Sequence, residues 1–389
     1  RENRRGVHLT RSKIADIVKR LEKVRAEGLN LIDSENYLSP AAREALARDL
    51  AGRYHSDFYG GSKFAREVIE TTEELAERLF RARHAIVSPL SGTMCDLAVM
   101  LAYTEPGDAV AMVPFSAGGF PLGVQKFHRR MVHLPVDDDQ QVDICQAKSL
   151  ISEEKVKLTI LGASYLLFPH PVKELGRFIK DAQLPCLLGY DGSHVLGLIA
   201  CGEFQDPLRE GAEILFGSTH KTLYGPQGGM ILTNSEEHER TLRNLLDIDL
   251  ETGIGLVDNP HVNRIAALGV ALEELLKDRG YGKRVIRNAK MLARALDESG
   301  VPVRFRRRGY TESHQILLDL SPEKAREFCH QLERVNIFID VAGRIGVAEV
   351  TRRGMGSSEM LRVAELMAQV YKNGPAPELK KQVKGLVNR

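Results

Sequence analysis

The sequence predicts an α/β fold with a mostly parallel sheet and a second, smaller C-terminal α+β domain. From about residue 40 to residue 265, short apolar runs alternate with longer segments of helical periodicity. Such alternation is typical of parallel strands covered by helices on both faces of the sheet. The 389 residues, of which 43% are hydrophobic, are enough to bury the cores of two or three domains of ~150 residues each.

The first predicted element is a helical arm over Ser12–Glu27, where apolar side chains recur at helical spacing between charged ones. This amphipathic pattern predicts that the arm packs against another surface. In the large domain, strands are predicted at Ala109–Val113, Leu158–Leu161, Cys186–Tyr190, Ile214–Phe216 and Met230–Leu232.

A change of pattern after Pro260 marks the smaller domain. Its helices are predicted at Ile265–Leu276, Lys283–Leu296, Ser321–Arg334 and Ser357–Tyr371, and its strands at Val301–Phe305, Gln315–Leu318, Asn336–Asp340 and Val347–Val350. The residues from Gly374 onward are expected to form a solvated end. We therefore divide the chain into an N-terminal arm (1–45), a large domain (46–265) and a small C-terminal domain (266–389).

Charge and composition argue against several classes of protein. The formal net charge is only +2, whereas a protein that coats nucleic acid is usually more basic. No apolar stretch reaches the ~18 residues of a membrane span, and no signal peptide is visible, so we expect a soluble, cytoplasmic protein. The five cysteines are scattered and predicted to be reduced, and no histidine or cysteine spacing predicts a metal site.

The most informative segment runs from Ser218 to Gly229 and contains Lys221. Hydroxyl residues flank this lysine, and a Gly-Pro-x-Gly-Gly turn follows it. Such glycines let the backbone come close to a ligand, so the segment indicates a Schiff-base lysine. Taken alone, the same run fits a solvated loop lysine equally well.

Two further features favour pyridoxal phosphate as the ligand. Asp191 closes an apolar strand, and a carboxylate at the carboxyl end of a parallel strand is placed to pair with a pyridinium nitrogen. Ser91, Gly92 and Thr93 precede an apolar helical run, where hydroxyls and backbone N–H groups form an anion site suited to a phosphate. Together with Lys221, these residues predict a cofactor site.

The lysine segment resembles that of the serine hydroxymethyltransferases. Four other segments resemble the family in the same order along the chain, namely Ser34–Tyr37, Tyr59–Gly61, Glu105–Asp108 and Thr351–Gly354. The resemblance extends from about residue 30 to residue 370. It implies a fold-type-I pyridoxal-phosphate enzyme, similar to aspartate aminotransferase. Such enzymes are usually homodimers with each active site at the subunit interface, and assembly beyond the dimer is left open.

The resemblance also implies roles for individual residues. Lys221 would hold the cofactor covalently, Asp191 would pair with its ring nitrogen, and His194 would lie beneath the ring. Arg344 resembles the arginine that binds the substrate carboxylate, for which a planar guanidinium is suited. Ser34 and Tyr59 would assist in substrate binding, Tyr59 from the neighbouring subunit. The remaining cofactor contacts are predicted at Ser91, Gly92, Thr93, Phe120, Ser164, Ser218, His220, Gly253 and Gly255.

The sequence departs from the family pattern at two positions near the chemistry. Where the family has an acid/base glutamate, alignment on Tyr54 places Ser56, so His55 or Asp57 is predicted to exchange protons in its place. Where the family has a ring-stacking histidine, Phe120 follows the Gly118–Gly119 pair. Phenylalanine can stack on the pyridine ring but cannot donate a proton.

Two more departures concern the folate side and the phosphate. Only three residues separate Asp340 from Arg344, where the family has a longer loop that contacts folate. The family's glycine pair before a proline reads Asp258–Asn259 here, so the phosphate contact is predicted from Gly253 or Gly255 instead. These departures predict an enzyme that handles an α-amino acid without tetrahydrofolate, and they leave folate dependence open.

The predicted reaction makes or breaks the Cα–Cβ bond of a β-hydroxy-α-amino acid, from the serine or threonine type to glycine plus an aldehyde. One alternative is another pyridoxal-phosphate reaction on an unusual amino acid, by a transaldolase, an α-methylserine-type aldolase, a racemase or an aminotransferase. The second alternative is a non-catalytic or RNA-interacting protein. It is favoured only by basic clusters at Arg1, Arg4 and Arg5, at Arg304–Arg308 and in the tail.

Overall fold

A seven-stranded sheet lies at the centre of the structure, a computed structural model that describes residues 12–249 and 251–388. The basic residues Arg1, Arg4 and Arg5 lie outside the described residues. The strands are β1 (Leu29–Asn30), β2 (His84–Ile86), β3 (Ala109–Met112), β4 (Arg130–His133), β5 (Leu158–Leu161), β6 (Leu187–Asp191), β7 (Ile214–Ser218), β8 (Gly229–Thr233), β9 (Ile248–Asp249), β10 (Gly253–Ile254), β11 (Gln315–Leu317), β12 (Ile337–Phe338) and β13 (Arg344–Gly346).

Helices surround this sheet and build the C-terminal part. They are α1 (Lys13–Ala26), α2 (Pro40–Leu46), α3 (Lys63–Phe80), α4 (Gly92–Tyr103), α5 (Ile144–Glu153), α6 (Val172–Asp181), α7 (Leu196–Cys201), α8 (Pro207–Glu210), α9 (Glu236–Leu246), α10 (Val262–Lys277), α11 (Tyr281–Glu298), α12 (Pro322–Glu333), α13 (Ala348–Arg352), α14 (Ser357–Asn373) and α15 (Pro377–Val387). Short 3-10 helices cover Asp49–Gly52, Phe115–Ala117, Val124–Phe127 and Arg306–Arg308.

The strand order in the central sheet is β2-β8-β7-β6-β5-β3-β4. Strands β3 to β7 pair in parallel, and only β8 runs antiparallel to its neighbours. The predicted α/β class and the five predicted strands are therefore confirmed, with bounds shifted by two residues at most. Strands β2 and β4 were not predicted, because β2 is short and the outward side chains of β4 are polar or charged.

The sheet is buried on both faces. Along β3, Ala109 and Ala111 belong to one hydrophobic core, and Val110 and Met112 belong to a second core on the opposite face. Side chains of a strand alternate between its two faces, so burial of both faces explains the mostly apolar runs. The carboxyl ends of β5, β6 and β7 meet at one edge, which is where such sheets bind ligands.

The C-terminal part contains two small sheets. Strand β11 pairs antiparallel with β13, which places Leu317 opposite Arg344. Strand β12 pairs in parallel with β1, so the N-terminal segment joins the C-terminal part. The division into an arm and two domains at residues 45 and 265 stays a prediction.

Three sequence predictions for the C-terminal part are wrong. Val301–Phe305 is not a strand, since it makes only an isolated bridge from Val303 to Leu318 before the chain turns into a 3-10 helix. Val347–Val350 belongs mostly to helix α13, because a segment of four residues fits a short buried helix as well as a strand. The tail is not merely solvated. Its helix α15 buries three apolar side chains at helical spacing, Leu379, Val383 and Leu386.

Helix α1 forms as predicted, but none of its residues is buried within the described chain. Five apolar side chains stay exposed along it, those of Ile14, Ile17, Val18, Leu21 and Val24. The expected packing against another surface is therefore absent within the part of the chain that the structure describes. Among those residues, no helix has both the length and the apolar character needed to cross a membrane.

Candidate active site

The site lies where β6 and β7 end. Asp191 is the last residue of β6 and is buried, and its Oδ1 accepts a hydrogen bond from the backbone N–H of Ser193 at 2.9 Å. Lys221 lies in the turn three residues after β7. The adjacent, parallel strands bring these two residues to one edge of the sheet, as their positions in the sequence predict.

The surroundings of Lys221 make its ammonium group easier to deprotonate than that of an exposed lysine. Burial lowers the pKa of Lys221, although the nearby carboxylates of Asp191, Asp33 and Asp96 oppose this effect. A lysine with a lowered pKa is a better nucleophile near neutral pH because more of it is unprotonated. The side-chain amide of Asn36 donates a hydrogen bond to the carbonyl oxygen of Lys221 at 2.8 Å, which holds the turn.

A small cradle forms where α4 meets the end of β7. Ser91 caps α4 by accepting a hydrogen bond from the N–H of Met94 at 3.1 Å. A Cβ on Gly92 would lie 2.9 Å from the backbone nitrogen of Ser218, so only glycine fits there. The hydroxyl of Ser218 is buried without a partner. Thr93 lies exposed in the first turn of α4, so these residues surround a helix N-terminus that suits a phosphate.

His220 lies next to Lys221 and is partly buried, with an unpartnered Nδ1. Burial, with a smaller contribution from Lys221, lowers the pKa of His220 to about 4. The imidazole is therefore neutral at physiological pH and offers one donor and one acceptor.

Arg344, the first residue of β13, is held in place by three oxygen atoms. Its Nε lies 2.6 Å from the carboxylate of Asp340, and its NH1 donates to the carbonyl oxygen of Ser164 at 3.0 Å. The same NH1 lies 3.4 Å from Oδ2 of Asp33, a side chain with no exposed surface. Burial alone would lower the pKa of Arg344, but the carboxylates of Asp33 and Asp340 outweigh burial and raise it.

Gln315 connects Arg344 to His194. Its side-chain amide nitrogen lies 2.5 Å from Oδ2 of Asp33, 2.7 Å from the carbonyl oxygen of Ser164 and 3.1 Å from Nδ1 of His194. Burial lowers the pKa of His194 well below its usual range, and the positive charge of Lys221 adds to this effect. The imidazole of His194 is therefore neutral.

His314 lies beside this cluster. Its ring stacks on that of His194 with centroids 5.8 Å apart, and its Nε2 lies 3.0 Å from the backbone oxygen of Asp33. One ligand atom from each of Asp33, His194 and His314 falls within 4.8 Å of the others. The guanidinium of Arg344 lies against Asp33 and would repel a metal cation, so we interpret the group as a hydrogen-bonded cluster.

Other predicted residues lie nearby. Ser34 directly follows Asp33 and is partly buried. The carbonyl oxygen of Gly118 accepts hydrogen bonds from the N–H groups of Ser164 and Tyr165, which fixes the turn before Phe120. Phe120 is partly buried and packs against the second core. No described contact joins its ring to Lys221, so its ring-stacking role stays a prediction.

The segment that contains His55, Asp57 and Tyr59 is not part of this cluster. Asp57 has 87% of its side-chain surface exposed and forms an ion pair with Arg66. Tyr59 is 43% exposed and stacks on Tyr54 with ring centroids 4.4 Å apart. Burial lowers the pKa of His55, which faces Asp247 and Asp258 instead of Lys221. The predicted acid/base roles of His55 and Asp57 therefore gain no support within one chain.

Gly253 and Gly255 also lie apart from the cluster. Gly253 belongs to β10, whose two residues are exposed and which pairs antiparallel with β9. A Cβ on Gly255 would come within 2.1 Å of the carbonyl oxygen of Leu245. The close approach at Gly255 therefore serves the packing of its own loop, and the phosphate contacts of both glycines stay predictions.

Sequence reasoning missed Asp33, His314 and Gln315. Asp33 is a charged residue directly after the apolar residues Leu31 and Ile32, and Gln315 is a polar residue that opens an apolar strand. Both signals were available in the sequence. The contact between them joins residues 282 positions apart, and only the fold shows that contact.

The family model for serine hydroxymethyltransferase matches residues 7–367. Serine hydroxymethyltransferases of Methanothermobacter marburgensis and Methanopyrus kandleri are 39% and 40% identical to this chain. The alignments cover 93% and 92% of this chain and 90% and 88% of those relatives. Among solved structures, an L-threonine transaldolase from Pseudomonas fluorescens superposes with a TM-score of 0.88 at 28% identity, covering 96% of this chain and 90% of that one. The chain therefore belongs to the serine hydroxymethyltransferase family of pyridoxal-phosphate-dependent enzymes.

Proposed function

We propose that this enzyme breaks or forms the Cα–Cβ bond of a β-hydroxy-α-amino acid, with Lys221 as the cofactor lysine and Arg344 as the carboxylate site. The observation that carries this assignment is the convergence of Lys221, Asp191, His194 and Arg344 on one edge of the sheet. The assignment agrees with the family. It also agrees with the structural neighbour, which is named for its action on threonine.

The residues present fit pyridoxal phosphate. The unpartnered hydroxyl of Ser218 and the cradle at Gly92 suit a phosphate, and the buried carboxylate of Asp191 suits a protonated ring nitrogen. Ser91, Thr93 and His220 would complete the contacts around the phosphate. When bound, the cofactor accepts into its ring the electrons that a broken Cα bond releases.

The residues of the chain decide which bond of the substrate breaks. Asp340 and Ser164 hold Nε and NH1 of Arg344, so a substrate carboxylate would bind at NH2 and at the side of NH1 that faces Asp33, through two parallel hydrogen bonds. Gripping the carboxylate orients Cα, and the orientation of Cα determines which bond aligns with the ring. The neutral imidazole of His194 can donate one hydrogen bond to the cofactor without adding charge.

The exchange of the hydroxyl proton is assigned to a second copy of the chain, with both copies forming a homodimer that shares its active sites. Exposed apolar side chains on α1 and at Phe58, Tyr59 and Phe64 support an interface, because such patches are otherwise costly in water. The described contacts of His55, Asp57 and Tyr59 are with residues outside the cluster of their own chain, which fits a contribution to the site of a second copy.

The reaction is proposed to proceed without tetrahydrofolate. The shortened segment between Asp340 and Arg344 folds into a tight turn, in which Oδ1 of Asp340 accepts from the N–H groups of Ala342 and Arg344. This turn leaves no extended loop at the position where the family contacts folate.

The test measures glycine formation from L-serine and from L-threonine by the cofactor-loaded enzyme, with and without tetrahydrofolate. Equal rates in both conditions support a folate-independent enzyme. Glycine that appears only with tetrahydrofolate contradicts that part of the proposal and identifies a hydroxymethyltransferase. The absence of glycine from either substrate, with the cofactor bound, contradicts the proposed bond cleavage.

A transaldolase reaction is the second candidate, because the structural neighbour at 28% identity is an L-threonine transaldolase. In that reaction the enzyme releases acetaldehyde from threonine and joins the bound glycine unit to a second aldehyde. Incubation with threonine and benzaldehyde distinguishes the two candidates. A new β-hydroxy amino acid favours transaldolase activity, and free glycine alone favours an aldolase. Deuterium exchange at Cα without carbon–carbon cleavage would instead favour a racemase or an aminotransferase.

A further inference from the structure

The carboxylate of Asp33 occupies the same corner of the site as the proposed substrate carboxylate. Its side chain has no exposed surface. Oδ2 lies 3.4 Å from NH1 of Arg344 and 2.5 Å from the amide nitrogen of Gln315, whereas Oδ1 is buried without a partner. A fully buried carboxylate with one unpartnered oxygen is costly to keep charged. The presence of an aspartate at this buried position therefore needs an explanation.

Arg344 already has two negative partners before a substrate arrives. Asp340 lies 2.6 Å from its Nε, and Asp33 lies 3.4 Å from its NH1. A substrate carboxylate would bring a third negative charge to one guanidinium, and like charges at such distances repel strongly in a buried site. Asp340 keeps 19% of its side-chain surface exposed, so water can screen its charge. Asp33 has no such contact with water.

The histidines around Asp33 cannot offset the added negative charge by taking up a proton. Burial raises the pKa of Asp33 to about 6, against the opposing influence of Arg344. Burial also lowers the pKa of His314 to about 3 and holds that of His194 well below its usual range, so both rings stay neutral. The remaining titratable or charged groups that face Asp33 are Asp340, Lys221 and Tyr165. Asp33 is therefore a group in this corner that can change its charge near neutral pH.

We propose that Asp33 takes up one proton from solvent when a carboxylate binds at Arg344, so that substrate binding and protonation of Asp33 are coupled. The incoming carboxylate adds one negative charge and the proton adds one positive charge, so the charge of the buried corner is unchanged. Protonated Asp33 can then donate a hydrogen bond instead of repelling its new neighbour. This inference rests on the proposed function, which assigns the substrate carboxylate to Arg344.

The coupling between protonation of Asp33 and carboxylate binding determines how the affinity for a carboxylate depends on pH. If binding requires protonated Asp33, the apparent affinity for a carboxylate falls about tenfold per pH unit above the pH at which free Asp33 titrates. Amino acids carry an amine that titrates separately, so the probe should lack one. We choose 3-hydroxypropanoate, which has the carboxylate and the β-hydroxyl group of serine without its amine.

The experiment titrates 3-hydroxypropanoate into the cofactor-loaded enzyme by calorimetry at pH 7, in two buffers that differ in ionisation enthalpy. The difference in heat counts the protons taken up for each probe molecule bound. We expect about one proton for the parent and close to none for Asp33→Asn. The matched control is Asp340→Asn, which removes the solvated partner of the same arginine and should keep the uptake.

Each other result contradicts the inference. A parent enzyme that binds the probe without proton uptake overturns it, and so does an Asp33→Asn variant that keeps the uptake. A second measurement uses the parent enzyme alone. If its affinity for 3-hydroxypropanoate stays constant from pH 6 to pH 8, the inference is also contradicted. If Arg344→Ala binds the probe as tightly as the parent, the carboxylate site itself is wrong and the proposed function fails together with the inference.

Discussion

The side-chain amide of Asn36 donates a hydrogen bond to the backbone carbonyl oxygen of Lys221, with an N–O distance of 2.8 Å. The same nitrogen lies 3.1 Å from the hydroxyl of Tyr281, on helix α11. Asn36 therefore joins the N-terminal segment, the lysine turn and the C-terminal part through one amide. The relationship gives a physical reason for a Ser-Glu-Asn segment some 185 positions before the lysine.

Replacement of Asn36 by alanine should loosen the lysine turn. The carbonyl oxygen of Lys221 would lose a partner, and such a loss costs about 1–3 kcal/mol when the group is poorly solvated. We expect a lower melting temperature and faster loss of bound cofactor during dialysis. The control is Tyr281→Phe, which removes the second partner of Asn36 and leaves the bond to Lys221 intact. Equal cofactor loss in both variants would argue against the role of the Asn36–Lys221 bond.

Replacement of Lys221 by alanine should abolish turnover, because no other described lysine lies in the cluster. Borohydride treatment reduces a Schiff base to a stable amine, so it should add the mass of the reduced cofactor to the parent protein. The variant should gain no such mass. Its cradle is unaltered, so it should still bind the cofactor non-covalently. The assignment of Lys221 as the cofactor lysine would be wrong if the Lys221→Ala variant were as active as the parent. It would also be wrong if borohydride added as much cofactor mass to the variant as to the parent.

Replacement of Arg344 by lysine keeps the charge and removes the planar pair of donors. A charged hydrogen bond of this kind contributes about 1.5–3 kcal/mol, so we expect kcat/KM to fall roughly 10- to 100-fold. Most of this loss should appear in KM if the arginine holds the carboxylate in both ground and transition states. The control is Arg353→Lys, which changes an arginine that pairs with Glu349 on helix α13. An unchanged KM in Arg344→Lys would contradict the carboxylate role.

The stability of the cofactor-free protein should depend on pH through Asp33. Burial raises the pKa of Asp33 from 3.8 to about 6, so the folded state holds this proton more tightly than the unfolded state. The corresponding stability is present below about pH 4 and is lost as pH rises through about 6. Asparagine has no proton to lose in this range. The free energy of unfolding of Asp33→Asn, relative to that of the parent, should therefore rise between pH 4 and pH 7 by up to about 3 kcal/mol. Urea unfolding at both pH values measures this difference. The control is Ser34→Ala, which neither adds nor removes a titrating group. Its free energy of unfolding should differ from that of the parent by an amount that does not depend on pH.

Replacement of Leu21 by glutamine should weaken the proposed dimer. Leu21 lies on α1 and is 58% exposed, so the change costs little within one chain. Burial of a leucine contributes about 1.5–3 kcal/mol, and a symmetric interface contains the residue twice. We expect the dissociation constant of the dimer to rise at least about tenfold, measured by light scattering across a dilution series. Lys19→Gln, an exposed polar change on the same helix, should leave it unaltered. A parent that is monomeric at all concentrations would contradict the dimer.

The central strands could be predicted from the sequence because both faces of each strand are buried, which leaves short, mostly apolar runs. The same reasoning placed Asp191 and Lys221 at one edge, since the carboxyl ends of adjacent parallel strands coincide. The reasoning failed at Val347–Val350, where four residues are too few to separate a strand from a buried helix. The roles of the individual site residues remain predictions.

Local patterns in the sequence therefore determined the fold class, the family and the placement of Asp191 and Lys221 at the ends of neighbouring strands. They did so because apolar runs, helix caps and glycine turns are formed by residues that are close together along the chain. Only the tertiary structure decided that Asp33, Gln315 and Arg344 share one buried corner, since these residues come from three separate segments and meet through packing. The charge that each of them carries depends on distance and on exclusion of water, and both are properties of the folded chain.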